Sequence, residues 1–135
     1  MLKKTVITFI AAGYIASAFA STASLTIDVT AIKEAEGAIM LAVYDAEETY
    51  NSGGPAVKGA RIDVDGSKVS VTFDDLPTGR YAIKLYHDAN SNGVLDTNMM
   101  GLPIESYGFS GGSAHVGPPP FNVAALDVTA GDNSV

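Results

Sequence analysis

The chain has 135 residues, a formal net charge of −7 at neutral pH and no cysteine. An acidic surface repels nucleic acid and anionic lipid, so these partners are disfavoured, whereas cations are attracted. The lack of cysteine excludes disulfide bonds, thiolate catalysis and a lipid-modified N-terminal cysteine.

The first 20 residues have the pattern of a secretory signal peptide. Met1–Lys4 is short and basic, residues 5–20 are uncharged and mostly apolar, and Ala18-Phe19-Ala20 has the small-x-small pattern that precedes a cleavage site. The apolar run is shorter than the roughly 20 residues of a spanning helix, which predicts cleavage after Ala20 and no membrane insertion afterwards. We therefore expect a periplasmic or secreted protein with a single domain over residues 21–135. Removal of two lysines with the signal leaves six basic against fifteen acidic residues.

Short strands separated by turns are predicted after the signal. Residues 24–31 alternate, with Leu25, Ile27 and Val29 on one face. Residues 38–44 are more uniformly apolar, which is typical of a central strand buried on both sides. The polar, glycine-rich segment that follows predicts a loop with one helical turn.

A hairpin and a further strand are predicted in the middle of the chain. Asp65-Gly66 separates the strand-like residues 61–64 and 68–73, and an Asp-Gly pair accepts the positive φ angles of a tight hairpin turn. The next strand, Arg80–His87, places Tyr81, Ile83, Leu85 and His87 on one face. Because Tyr81 lies just after a turn, its hydroxyl is expected to bond back to the turn backbone as a tyrosine corner.

The C-terminal third is predicted to contain a long ordered loop and the last strand. Residues 99–120 are rich in glycine and proline, and loops of that length usually carry function or are disordered. Tyr107 and Phe109 indicate that this loop packs onto the domain. With Phe121 they also offer a groove for a sugar or a peptide. The last strand is expected at 121–129, followed by a frayed tail.

One loop has the spacing of an oxygen-ligand cation site. Side-chain oxygens alternate along residues 88–99, and Gly93 lies where such a loop turns sharply. Met99 stands where an acidic last ligand is expected, and Glu105 is a candidate to replace it. The predicted ligands are the side chains of Asp88, Asn90, Asn92, Asp96 and Glu105 and the backbone carbonyl of Val94. The alternative is an Asx-rich turn without metal, because Asp and Asn also bond to nearby backbone amides.

Several motifs together resemble the DUF2141 family, small exported bacterial proteins of unknown function, over about residues 25–128. The motifs are Leu76-Pro-x-Gly79-x-Tyr81, Asp88-x-Asn90-x-Asn92-Gly93-x-x-Asp96, Gly101-Leu-Pro-x-Glu105-x-Tyr-Gly-Phe-Ser110 and Gly117-Pro-Pro-x-Phe121. The first half also resembles the calcium-binding B repeats of bacterial surface adhesins. These resemblances imply an antiparallel Greek-key β-sandwich of about seven strands, transthyretin-like or Cna-B-like, and they imply no activity.

Two further residue sets suggest chemistry only weakly. Ser110 lies in a G-x-S-x-G pattern with His115 nearby, but no helix is predicted after it, so Ser110 is expected to bond to backbone. A hydrolase using these two residues remains a rival hypothesis. A soft copper site would need His87, His115, Met99 and Met100, which form no motif. His87 shares the apolar parity of its strand and is expected to be a packed histidine.

The sequence therefore predicts an all-β, non-enzymatic, exported module whose loop at 88–99 binds Ca²⁺ weakly, with a dissociation constant on the order of 10⁻⁴ to 10⁻³ M. The alternative is a carbohydrate- or peptide-binding module that uses the aromatic loop at 101–121. In either case we expect a partner in the cell envelope or outside the cell.

Overall fold

The computed structural model describes residues 21–112 and 117–135; the predicted signal peptide and His115 lie outside them. Strands dominate this part of the chain, as predicted; it contains eight strands, where about seven were predicted, and two short helices. The elements are β1 Thr22–Val29, β2 Ala38–Tyr44, α1 Glu47–Ser52, β3 Lys58–Asp63, β4 Val69–Pro77, β5 Gly79–Asp88, β6 Tyr107–Phe109, α2 Phe121–Ala124, β7 Leu126–Val128 and β8 Gly131–Ser134. Within the described residues, neither helix is long and apolar enough to cross a membrane.

The strands form two sheets around one hydrophobic core. The smaller sheet has the order β4-β1-β8 and the larger the order β3-β2-β5-β6, with β7 pairing beside the start of β5. Leu25 and Ile27 point into the core and Val29 packs at its margin, which confirms the predicted alternation of β1. Strand β2 pairs on both sides, with β3 and with β5, so the prediction of a central strand is also confirmed.

The side chains of β5 lie alternately on the two faces of the larger sheet. Tyr81 and Ile83 lie in the core between the sheets, as predicted, and Leu85 packs against it. The Tyr81 hydroxyl donates to the Pro77 carbonyl oxygen at 2.6 Å, which confirms the tyrosine corner. Because side chains alternate along a strand, Lys84 and Tyr86 fall on the outer face of the sheet.

The predicted Asp65-Gly66 hairpin is wrong. Strand β3 pairs with β2, whereas β4 pairs with β1 in the other sheet, so the connection between them crosses from sheet to sheet. Gly66 does not have the positive φ that a tight hairpin turn requires. Val64 donates its N–H to the Gly37 carbonyl oxygen beside β2, whereas Val69 pairs with Val29 of β1, so the residues on the two sides of the turn are bound to different sheets.

The C-terminal prediction is corrected as well. Residues 121–129 form helix α2 and the short strand β7 instead of one strand, and the tail expected to fray forms β8. Strand β8 runs parallel to β1, an exception to the expected antiparallel pairing. The Asn133 side chain stabilises the preceding turn, since its amide donates to the carbonyl oxygens of Thr129 and Gly131.

The two helices cover one end of the outer face of the larger sheet. Tyr50 of α1 is almost completely buried there, with its ring 5.8 Å from that of Tyr44 and 5.7 Å from that of Phe121. Its hydroxyl donates to the Pro119 carbonyl oxygen at 2.9 Å. At the opposite end of the same strand pair, β5 ends at Asp88, where the predicted cation loop begins.

Candidate functional site

The predicted cation loop begins with a buried carboxylate. Asp88 is only 1% exposed, and its two oxygens accept the backbone N–H groups of Asn92 at 3.0 Å and Gly93 at 2.8 Å. Ser91 and Gly93 both have positive φ, 57° and 82°, so the backbone turns sharply around this carboxylate. The turn at Gly93 is the conformation expected of the glycine in an oxygen cage.

The alternating polar side chains converge on Asp96. The Asn92 side-chain amide donates to both Asp96 carboxylate oxygens, at 2.9 and 3.0 Å, and the Asn90 amide donates to one of them. The two asparagine side-chain oxygens accept backbone N–H groups of Asn92 and Val94, as in Asx turns. The bonds present are thus those of the predicted Asx-rich turn, and an ion at the centre would require each amide to turn its oxygen inward.

Glu105 is brought back to the loop by a small hairpin. Its carboxylate accepts the N–H of Ala89 at 3.0 Å and that of Asp96 at 2.9 Å, and so bridges the two ends of the loop. The loop from Asp88 to Asp96 together with Glu105 forms a cage of oxygen atoms, which is called the cage below. The hairpin is held by the Ile104 N–H, which donates to the Asp96 carbonyl oxygen at 2.9 Å. Met99 lies fully exposed at its tip, which places Glu105 at the cage instead of Met99.

The electrostatics of this region are strongly negative. Asp88, Asp96 and Glu105 have no lysine or arginine partner within the parts of the chain that the structure describes. The pKa of Tyr86 is raised, first by burial and then by the charges of Asp88 and Glu105. No three acidic or histidine side chains among residues 21–112 and 117–135 are gathered as a ready-made metal site, so an ion would also need amide and carbonyl oxygens.

An apolar pocket of about 380 Å³ adjoins the cage on the outer face of the larger sheet. Its floor is formed by Lys84 and Tyr86 of β5 and by Tyr107 and Phe109 of β6, whose rings meet edge to face at 5.7 Å. Leucines and prolines of the segments around 95–103 and 117–118 form its walls. A second groove of about 330 Å³ lies on the other side of Lys84.

Comparison with known proteins identifies the family. A family profile described as "Uncharacterized protein conserved in bacteria (DUF2141)" matches residues 27–135, which is most of the chain. The chain belongs to the DUF2141 family. This match confirms the resemblance noted in the sequence. Neither a curated protein nor a solved structure matches the chain.

The aromatic residues expected to form one groove in this DUF2141 protein lie in two places. Tyr107 and Phe109 line the pocket, whereas Phe121, the first residue of α2, packs against Tyr50 of α1, so the predicted trio is not brought together. The role of Lys84 was not predicted. Lys84 alternates with the inward-facing Tyr81 and Ile83, so the sequence already places it on the outer face of the sheet. What lies over that face depends on loops that are distant in the chain, and this the sequence does not show.

Ser110 and His87, the other candidates from the sequence, both form hydrogen bonds with backbone groups. The Ser110 hydroxyl donates to the Ala124 carbonyl oxygen at 2.6 Å and accepts the Ile83 N–H at 2.8 Å, so it bonds to backbone as predicted. His87 is buried, and its Nε2 lies 2.7 Å from the Glu36 carbonyl oxygen, which confirms a packed histidine. Since a carbonyl can only accept, Nε2 carries the proton in this contact.

Proposed function

We propose that this chain is an exported, non-enzymatic β-sandwich module whose loop at 88–99, completed by Glu105, binds a structural cation of the Ca²⁺ type. The observation that carries the proposal is the buried Asp88 carboxylate, which begins a loop whose Asn side chains converge on Asp96 and whose two ends are bridged by Glu105. The ligands in this proposal are the side chains of Asp88, Asn90, Asn92, Asp96 and Glu105 and the carbonyl of Val94. We further propose a Greek-key topology of transthyretin type for the sandwich, antiparallel except for the pair of β1 with β8 and supported by the pairing of β1 with β4 and of β2 with β5.

Charge burial supports the cation proposal. A buried carboxylate without a basic partner costs free energy even when backbone N–H groups bond to it. Asp88 is in this situation within the described residues, and two further carboxylates lie around the same loop. A divalent ion would lower the repulsion between them and bind mainly to the folded chain, so binding energy would add to folding energy.

A thermal unfolding experiment tests the proposal. With a dissociation constant of about 10⁻³ M, 10 mM Ca²⁺ should stabilise the fold by about 1.4 kcal/mol and raise Tm by about 6 °C relative to EDTA. Asp96→Ala should abolish this shift while leaving the buried Asp88 in place. Asp74→Ala removes an exposed carboxylate of β4 near the turn into β5, at the other end of β5 from the loop, and should preserve the shift. Equal melting temperatures of the native chain in both buffers would refute the cation.

Terbium luminescence locates the ion. Tb³⁺ emission excited through tyrosine requires a ring close to the metal, and the Tyr86 hydroxyl donates to the Gly93 carbonyl oxygen at 2.9 Å. Tyr86→Phe should therefore remove most of the emission, while the Ca²⁺-dependent shift in Tm remains. Full emission from this variant would place the ion elsewhere on the chain.

The second candidate function is a binding module for a carbohydrate or a peptide that uses the aromatic loop at 101–121. The pocket lined by Tyr107 and Phe109 favours it. Binding to a glycan array or to a peptide library, lost on Tyr107→Ala or Phe109→Ala, would support it. The two functions are compatible, since the loop and the pocket lie side by side.

A further inference from the structure

We propose that the pocket on the outer face of the larger sheet binds a small amphipathic anion, with its apolar body between Phe109 and the leucine and proline walls and its anionic head at Lys84. The proposal gives a ligand class to the second candidate function and does not depend on a bound cation.

The lining of the pocket indicates an apolar ligand body. Its walls are leucine, proline and aromatic side chains, and Phe109 and Tyr107 form a continuous aromatic surface. Among the described lining residues, polar side-chain atoms are confined to Lys84 and two tyrosines. One of these hydroxyls, that of Tyr86, already donates to Gly93. A sugar needs many donors and acceptors, so this lining favours an apolar body over a carbohydrate.

The charged side chain described in the pocket lining is positive, although the protein as a whole and the neighbouring cage are acidic. The chain carries −7 overall, yet Lys84 is the one charged side chain among the described residues that line the pocket. No carboxylate in the described ranges lies within ion-pair distance of its Nζ. An anionic head would provide the missing counter-charge, whereas a cationic ligand would be repelled by Lys84.

The position of Lys84 leaves hydrogen-bonding capacity for a ligand. Nζ donates to the Tyr50 carbonyl oxygen and lies 4.2 Å from the centroid of the Tyr50 ring and 5.4 Å from that of Tyr44. An ammonium group has three donors, and one is used by this carbonyl. The partial burial of this ammonium lowers its pKa, so an anion would also relieve a desolvation cost.

The size of the pocket limits the ligand. A volume of about 380 Å³ lies at the lower end of the range of small-molecule sites. The second groove begins on the other side of Lys84, with Met40 and Tyr44 in its lining, so a longer apolar chain has room to continue there. A medium-length alkyl carboxylate combines these properties of size and charge.

Three probes with the same alkyl chain test the proposal: octanoate, 1-octanol and octylammonium, titrated into the full chain in EDTA and followed by NMR. Octanoate should bind at least tenfold more tightly than octanol, octylammonium should bind most weakly, and the shifted signals should map to β5 and β6. Equal affinity for the three probes, binding at another surface, or no octanoate binding up to millimolar concentration would overturn the proposal. EDTA removes any bound cation, and a repeat with millimolar Ca²⁺ in place of EDTA distinguishes a pocket that binds no octanoate from one that binds it only when the cage is occupied.

Matched variants separate the head from the body of the ligand. Lys84→Met keeps the apolar stem and should lose the preference for octanoate while binding octanol unchanged; Lys84→Arg should keep the preference. Lys58→Met removes an exposed lysine of β3 and should change nothing. Phe109→Ala should weaken both probes, provided that its unfolding curve stays cooperative. Octanoate binding that is unchanged in a folded Lys84→Met variant refutes the role of Lys84. A dimer in sedimentation that dissociates on Phe109→Ala would make a second copy the occupant and refute the ligand.

Discussion

Gly37 permits the closest backbone contact around the cation loop, and its replacement gives a sharp test of the fold there. Its φ is +70°, and a Cβ at this position would overlap the Asp88 carbonyl oxygen and come within 2.7 Å of Ala89 Cα. Both are backbone atoms, so no side-chain rotation can relieve the overlap. Gly37→Ala must therefore shift the end of β5 or the loop that contains Gly37.

Two costs add in this variant. An alanine with left-handed backbone geometry costs about 1 kcal/mol. The overlap with backbone adds about 2–3 kcal/mol, as is usual for overpacked sites, which gives a total loss of about 3–4 kcal/mol in the free energy of unfolding. Gly53 is the matched control, since its φ is +67° and a Cβ there meets no described atom within 4 Å. Gly53→Ala should therefore cost only about 1 kcal/mol.

Urea unfolding followed by circular dichroism measures both values. With an m-value of about 2 kcal/mol/M, the midpoint should fall by about 1.5–2 M for Gly37→Ala and by about 0.5 M for Gly53→Ala. Equal losses in the two variants would show that Gly37 does not lie against the end of β5. The placement of Asp88, on which the cation proposal depends, would then be wrong as well.

Two further predictions concern tyrosines and pH. Tyr81→Phe removes the bond to Pro77 and should lower the free energy of unfolding in urea by about 1 kcal/mol. An unchanged free energy of unfolding would show that this hydrogen bond gives no net stabilisation. Burial raises the pKa of Tyr50, Tyr81 and Tyr86 above 10.0, so the unfolded chain releases these protons first and the free energy of unfolding should fall as pH rises above about 10. Burial lowers the pKa of Lys84, which has the opposite effect, so Lys84→Met should make this fall steeper; a flatter fall in that variant would contradict the assignment.

Features that depend on neighbouring residues were predictable from the sequence. The alternation of Tyr81 and Ile83 predicted the face of β5 that lies in the core, and the tyrosine corner followed from the turn before it. The spacing of Asp88 to Asp96 predicted that these side chains share one loop, because each lies within a few residues of the next. Local chemistry decides such features.

Features that depend on distant pairing were not predictable in the same way. The Asp65-Gly66 pair indicated a turn, but the strands on its two sides pair with β2 and β1, which lie earlier in the chain. Strand β8 forms because β1 offers it a parallel edge more than 100 residues earlier in the chain, and no local signal in Gly131–Ser134 carries that information. The contact of Lys84 with Tyr50 likewise requires α1 to fold onto the outer face.

The cage and the pocket share structural elements, and this determines how the two proposals must be separated. Tyr86 lines the pocket while its hydroxyl holds Gly93 of the cage, and Leu95 belongs to the loop while its side chain forms part of the pocket wall. A change at either site can therefore alter the other without touching its ligand directly. For this reason Asp96→Ala is a poor control for octanoate binding. Phe109→Ala is a better probe of the pocket, because β6 pairs with β5 at Lys84 and, within the described residues, makes no bond to the cage carboxylates. Loss of octanoate binding in Phe109→Ala with an intact Ca²⁺ response would assign the two ligands to two sites.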